Sequence, residues 1–276
     1  MEFIEEIGEL LKDSGIGFSK EIKGDVGIFT AKNIHIIAEP IVETSIEAAL
    51  QKQALVKSIA EGLDKYPIIL AEDRWRCGRE MVTERLKAHL NVFDHIFARN
   101  CDVRKVEKSE CGNFLDRFHS YGNAAGKFRY GIFISRYGGV SSFDYPVGTM
   151  VAVAEFSNAR KWIKGEKVIK SYEWVRYASL PRIRVIGGMG KVLNKFIEDV
   201  NPDDIMSYAD LEWSNGDSYR KLGFEKESLR PEVEFRIDPL TWRRMPIDKC
   251  EDGQGGNYLY YKNFGSMKYR LSRTEY

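Results

Sequence analysis

The sequence predicts a mixed α/β (α+β) fold, with a small N-terminal α/β layer over residues 1–92 and a larger mixed-sheet domain over 93–276. Three observations predict it. β-prone runs such as Ile34–Ala38 and Thr149–Phe156 alternate with stretches that carry apolar residues at helical spacing. Glycine-bearing turns punctuate them, among them Gly187–Gly190 directly before a helical pattern. Hydrophobic residues make up 43% and charged residues 30% of the 276, a balance that lets a chain of this length bury a core without staples.

Taken in order, Phe3–Leu11 reads as a helix that Gly15 and Gly17 end. Two strands follow at Val26–Thr30 and Ile34–Ala38. Glu43–Leu63 is a long helix with Ala49, Leu50, Leu55, Ile59 and Leu63 among its apolar positions. Pro67–Ala71 is a buried strand and Cys77–Leu90 a helix. Past Asn91 come a strand at His95–Val103, a helix at Lys108–Phe118, and strands at Lys127–Ser135 and Thr149–Phe156. A polar, glycine-containing loop, Tyr137–Gly148, joins the last two. Tyr172–Tyr177 is a strand. The helix Lys191–Val200 buries Val192, Leu193, Phe196, Ile197 and Val200, and Asn201-Pro202 stops it. Ile205–Ala209 is a strand, and Ser218–Leu222 is a short helix closed by Gly223. The tail Glu232–Tyr276 alternates aromatic and basic residues.

Composition narrows the function classes. A net charge of +1 gives no global basic excess, so any surface for an anionic partner must be local. The four cysteines form no CxxC pair and the four histidines are dispersed, which argues against a zinc site or a disulfide framework; no metal site is expected. The N-terminal stretch is acidic and amphipathic rather than a signal peptide, and no apolar run nears the roughly 20 residues a bilayer demands. The expectation is a reduced cytoplasmic setting, with no membrane partner.

Chemistry concentrates between Arg176 and Phe224. Backbone N–H groups in a glycine turn at a helix N-terminus converge on an anion, and the helix dipole adds to the attraction. Arg184, Gly187, Gly188, Gly190 and Lys191 therefore form a candidate cradle for a pyrophosphate. The alternative is a tight turn that lets the helix pack close to its sheet.

That segment resembles the coenzyme-binding motif of GNAT-type acyl-CoA N-acyltransferases, an Arg/Gln-x-x-Gly-x-Gly/Ala pattern opening a helix. Arg184 and Gly187 fit it, whereas Met189 stands where a small residue is expected. Ser218-Tyr219-Arg-Lys-Leu-Gly-Phe224 is similar to the family's closing Tyr-x-x-Leu-Gly-Phe. A longer run, Ile205-Met-Ser-Tyr-Ala-Asp210-Leu-Glu-Trp213-Ser-Asn-Gly216-Asp-Ser-Tyr219, resembles domains attached to very-short-patch-repair-like homing endonucleases and phage Mom-like DNA-modification proteins. Pieces upstream follow in the same order, such as Ala71-Glu-Asp-Arg-Trp75 and Tyr172-Glu-Trp-Val-Arg-Tyr177. The resemblance implies an N-acyltransferase that uses acetyl-CoA or a related acyl-CoA and modifies a nucleobase or another nucleic-acid-linked amine. It also implies roles. Asp210 orients or deprotonates the amine, Tyr219 protonates the leaving thiolate, and Arg176 holds a phosphate or the developing oxyanion. His119 is the histidine inside a matched stretch. Each has a plainer alternative: Asp210 capping the turn before Trp213, Tyr219 as a core aromatic, Arg176 paired with Glu173, His119 as a polar loop residue. The rival function is a non-catalytic, GNAT-like DNA-binding module of a mobile-element protein.

The N-terminal layer resembles a restriction-endonuclease core in degenerate form. Asp25 and Glu39 match its two carboxylates, but Ile41 stands where its lysine belongs, with Lys32 as a substitute. Basic and aromatic residues interleave twice, at Arg117–Tyr130 and at Trp242–Arg270. Both runs suit DNA as partner through phosphate neutralisation and stacking; amphipathic strands with one aromatic face in the core are the alternative.

Overall fold

The structure, a computed structural model, describes residues 2–136, 145–249 and 257–273. Most of the loop expected over 137–148 lies outside the described residues, as does Cys250. The chain forms two compact units: residues 1–90, 209–217 and 228–267 in one, and 91–208, 218–227 and 268–276 in the other.

The first unit begins with helix α1 (Glu2–Asp13), strands β1 (Phe18–Lys23), β2 (Val26–Ala31) and β3 (Ile34–Glu39), helix α2 (Ile46–Glu61), strand β4 (Ile68–Ala71) and helix α3 (Glu72–His89). Its sheet runs β1-β2-β3-β4, antiparallel except for the parallel β3–β4 pair. Both faces are covered. Phe3, Ile4, Ile7 and Leu11 of α1 are buried, with Ile4 against the Gly27 backbone. On the other face Ile28, Ile37 and Ile69 pack with Val56 and Ile59 of α2. Helix α2 starts at Ile46, three residues after the expected Glu43, where Ser45 Oγ accepts the Ala48 N–H (3.2 Å). Its buried stripe is Ala49, Lys52, Gln53, Val56 and Ile59, and Leu55 is exposed, against expectation. Two polar side chains sit on the inward face because they have buried partners there, described below. Strand β1 escaped the sequence reading because it is an exposed edge without alternating apolar residues.

The second unit contains strands β5 (Asp94–Phe97) and β6 (Cys101–Lys105), helix α4 (Lys108–Phe118), then β7 (Phe128–Ile134), β8 (Met150–Phe156), β9 (Arg160–Lys164), β10 (Lys167–Ser179) and β11 (Ile183–Ile186). Helix α5 (Gly188–Val200), strand β12 (Asp204–Asp210), helix α6 (Asp217–Arg220) and strand β13 (Glu225–Arg230) follow. The single strand expected over His95–Val103 is two, broken by a 3-10 turn at Ala98–Asn100. β14 (Glu234–Ile237), β15 (Arg244–Pro246) and β16 (Leu259–Lys262) make a separate three-stranded sheet, and β17 (Ser266–Ser272) ends the order. Residues 228–267, assigned from sequence to the second domain, belong to the first unit. Ile237, Tyr261 and Phe264 join the cluster around Val56 and Ile69, a burial that sequence order does not reveal.

The main sheet of the second unit runs β13-β17-β12-β10-β8-β7-β6, with β9 also paired to β10. Strand alternation puts Val153 against α4, with Cys111, Phe114 and Leu115. It puts Phe156 on the other face against Phe196 of α5, the rings stacked at 3.9 Å. Trp174 shares the α5 face, stacked on Phe156 at 5.2 Å. Ala178 joins the α4 cluster instead, although it is an even number of residues further along β10. A register shift between Trp174 and Arg176 makes the difference: this bulge inverts the facing of everything after it.

Candidate active site

Strands β10 and β12 pair in parallel only through Ser171–Asp204, Tyr172–Ile205 and Glu173–Met206, while β10 continues to Ser179 and β12 to Asp210. Where the ladder ends, a side chain takes over. Ser207 Oγ–H donates to the Trp174 carbonyl (2.8 Å), and the same oxygen lies 2.8 Å from Tyr219 Oη. The bulge begins at this point. Trp174 Nε1–H donates to the Arg176 carbonyl (3.0 Å), and the guanidinium of Arg176 donates to the Val175 carbonyl (2.9 Å) and to that of Gly122 (3.2 Å). The two strands thus part beyond Glu173, and the hydroxyl of Tyr219 stands at the fork.

Tyr219 arrives there on α6. Its ring packs among Trp174, Phe224 and Tyr269, the last stacked at 5.6 Å. The ring is structural, and the hydroxyl reaches the fork.

Three residues along β10 from Trp174 lies Tyr177, their rings edge to face at 6.1 Å. Tyr177 touches the glycine turn. Gly187 adopts a left-handed conformation (φ 78°) that a side chain disfavours, and it caps α5 without a side-chain hydrogen bond. The first intrahelical bond runs from Lys191 N–H to the Gly187 carbonyl (3.0 Å), so the N–H groups of Gly188, Met189 and Gly190 precede the ladder. At Gly188 a Cβ would stand 2.8 Å from Tyr177 Oη and 2.9 Å from Val185 Cβ; at Gly190 it would meet only Leu222 Cδ2, at 3.5 Å. Leu222 follows α6 directly. The turn is therefore bounded by Tyr177 on one side and by the segment carrying Tyr219 on the other. Burial pushes the Tyr177 phenol well above its ordinary range, so it stays protonated.

Other sequence-predicted residues are placed elsewhere. The Lys191 ammonium donates to the carbonyls of Ala98 (2.9 Å) and Cys101, tying down the 3-10 turn before β6 rather than reaching out as a phosphate ligand. Arg184, exposed on β11, lies over the Phe93 ring at 5.2 Å. Arg176 is held by backbone carbonyls, not by Glu173, and lies 5.7 Å from the Tyr121 ring. His119 ends α4, and its Nδ1 accepts the Tyr121 N–H (3.1 Å), which is a local turn contact. Asp210 falls in the first unit, where its carboxylate accepts the Glu212 N–H (3.0 Å) and its carbonyl accepts from Trp213 and Ser214. That is the turn-capping arrangement. Ser207, which bridges the fork, was missed; a buried serine in an apolar strand is the signal that points to it.

No protein-family model matches the chain, and no curated protein matches it. Solved structures do resemble it. One is the NatC complex bound to Gag peptide and CoA, at 9% identity over 63% of this chain and 99% of that one, with a TM-score of 0.35. Another is a GNAT-family acetyltransferase from Bacillus anthracis, at 14% identity, 64% and 96% coverage and a TM-score of 0.31. A third is a spermidine N-acetyltransferase from Vibrio cholerae, at 11% identity, 63% and 95% coverage and a TM-score of 0.32. Likenesses this distant carry no argument about chemistry, which rests on the fork and the turn themselves.

The first unit holds a second concentration of charge. Lys52 of α2 donates to Asp25 and to Glu43 (3.1 Å). Glu39 is buried beside them with Oε2 unpartnered, and burial holds its carboxyl well above the ordinary range, with Glu212 and Glu43 adding to the shift. Lys32 is not a substitute lysine here; it donates to the Leu90 carbonyl (2.8 Å). Among the described residues, no group of three or more His, Cys, Asp or Glu side chains is arranged to hold a metal ion. The interleaved aromatic and basic stretches are core only in part: Tyr130, Tyr261 and Tyr269 are buried, whereas Arg117, Tyr121, Lys127 and Arg243 are exposed. Tyr130 is fully buried against Phe156, Arg129 pairs with buried Glu155 (3.1 Å), and Arg244 pairs with buried Asp73 (2.5 Å). No helix among the described residues is long and apolar enough to cross a membrane.

Proposed function

We propose that the second unit is an acyl-CoA-dependent N-acyltransferase. The observation that carries this reading is the fork: β10 and β12 part with Tyr219 Oη at the opening, and the turn at Gly188 closely approaches the hydroxyl of Tyr177, further along β10. These parts fit the two ends of an acyl-CoA. Three backbone N–H groups at the positive end of the α5 dipole suit a pyrophosphate, and Gly187 offers no side chain to compete for them. The open edge of β10 beyond Glu173 supplies backbone groups able to pair with the amides of an extended pantetheine arm. The coenzyme contributes an activated acyl group. Tyr219 holds a proton where a departing thiolate takes it up, with Ser207 fixing the hydroxyl's position.

Asp210, Arg176, His119, Arg184 and Lys191 take no direct part, since each is engaged in structural contacts. The acceptor we propose is an amine of a nucleobase or of another nucleic-acid-linked group; the Ile205–Tyr219 signature supports it. Steady-state kinetics test the role of Tyr219. Tyr219→Phe keeps the ring packing and should lower kcat by about 10²–10⁴ with KM for acetyl-CoA little changed. Unchanged kcat removes Tyr219 from the chemistry, and failure of the wild-type chain to bind any acyl-CoA removes the whole reading.

A further inference from the structure

The hairpin of β9 and β10 serves neither the fork nor the turn. Between Arg160 and Ser171 it carries five cations (Arg160, Lys161, Lys164, Lys167 and Lys170) and one anion, Glu166, on a chain whose total charge is +1; everything else is net negative. The register places two like charges opposite one another, Lys161 against Lys170. Such pairs weaken a ribbon. Ile163 and Val168 also face each other, 75% and 56% exposed, on the same side as Lys161 and Lys170. On the opposite side Ile169 is buried. One face of the ribbon therefore anchors to the fold, and the other presents Lys161 and Lys170, one from each strand, around an apolar pair.

We propose that this ribbon docks in the major groove of B-form DNA. The charge pattern calls for a polyanion that can meet both strands of the ribbon at once. Strands about 4.8 Å apart make a two-stranded ribbon that fits a groove about 12 Å wide. Lys161 and Lys170 then face the two phosphate walls, and Ile163 with Val168 faces the base edges, where thymine presents a methyl group. A bilayer fits less well, because the hairpin's tip is Lys164-Gly165-Glu166-Lys167 and would lead with charge. Duplex RNA fits less well too, since its major groove is deep and narrow. The inference stands on the ribbon alone and does not rest on the acyltransferase reading, although DNA as partner would agree with the proposed acceptor.

Fluorescence anisotropy of the full chain with a labelled DNA duplex, without coenzyme, tests it. Wild-type affinity should fall with salt at a log–log slope of about −2 or steeper, as expected for the two phosphates that Lys161 and Lys170 neutralise. Lys161→Gln with Lys170→Gln should flatten the slope by about 1.8 and weaken binding roughly ten- to sixtyfold near 0.1 M salt. Lys161→Glu turns a repelling cross-strand pair into an attracting one, so it should weaken DNA binding while Tm stays level or rises. A misfolded variant would lower both. The proposal is overturned if the wild-type chain does not bind DNA at low salt, if the variants leave the slope unchanged, or if phosphatidylserine vesicles or duplex RNA bind more tightly than the DNA.

Discussion

The two glycines at the start of α5 lie two residues apart, yet substitution should separate them sharply. Gly188→Ala places a Cβ 2.8 Å from Tyr177 Oη and 2.9 Å from both Cβ and Cγ1 of Val185. Val185 is buried on β11, and its Cβ is fixed to the backbone, so the helix start must move. Overpacking of this kind costs about 1–3 kcal/mol. For a protein of this size, each kcal/mol lowers Tm by roughly 2–4 °C, which gives a drop of about 2–12 °C. Gly190→Ala meets only the end of Leu222 at 3.5 Å, an ordinary contact, and removes a helix glycine. It should be neutral or stabilising by up to about 1 kcal/mol. The same contrast should appear in ligand binding, because only the first change displaces the N–H groups of the turn. Thermal unfolding and acetyl-CoA titration of both variants make the assay. Equal Tm values for the two, or equal affinities, would refute the reasoning from close approach.

Two further outcomes follow from the charges of the first unit. Glu39 binds its proton more tightly folded than unfolded, so its contribution to stability is complete below about pH 4.5 and is lost as pH rises toward its folded value. Glu39→Gln should therefore raise Tm relative to wild type at pH 8 and leave it nearly level at pH 5; parallel Tm curves would contradict this. Arg244 makes two hydrogen bonds to buried Asp73, at 2.5 and 2.6 Å, and stands 3.5 Å from buried Glu212. Arg244→Met strands both carboxylates and should cost about 3–5 kcal/mol in denaturant unfolding.

The sequence was most legible where periodicity and burial agree. Helix α4 and strands β7 and β8 have clean apolar faces, and their bounds fall within a residue or so of the expected ones. Strands β1 and β9 were invisible because they are exposed edges, and no alternation marks them. The inward face of α2 also holds Lys52 and Gln53, which no apolar pattern marks, because their burial depends on partners distant in sequence: Asp25, and the Asn263 carbonyl for Gln53. The glycine turn and Tyr219 stand out in local pattern, whereas the contacts between them, through Tyr177, Trp174 and Leu222, have no mark in the sequence. Lys191 looked like a phosphate ligand only because nothing in its neighbourhood announced the Ala98 and Cys101 carbonyls that take its charge. The bulge after Trp174, which inverts the facing of β10, leaves no mark in the residue pattern.

The most direct test is an amide NMR titration of the chain with acetyl-CoA, following the backbone N–H signals of Gly188, Met189 and Gly190. If the turn holds a pyrophosphate, these three should shift together toward lower field, saturate with one binding curve, and stop responding in Gly188→Ala. Three unmoved signals in a folded chain at saturating coenzyme would contradict the account.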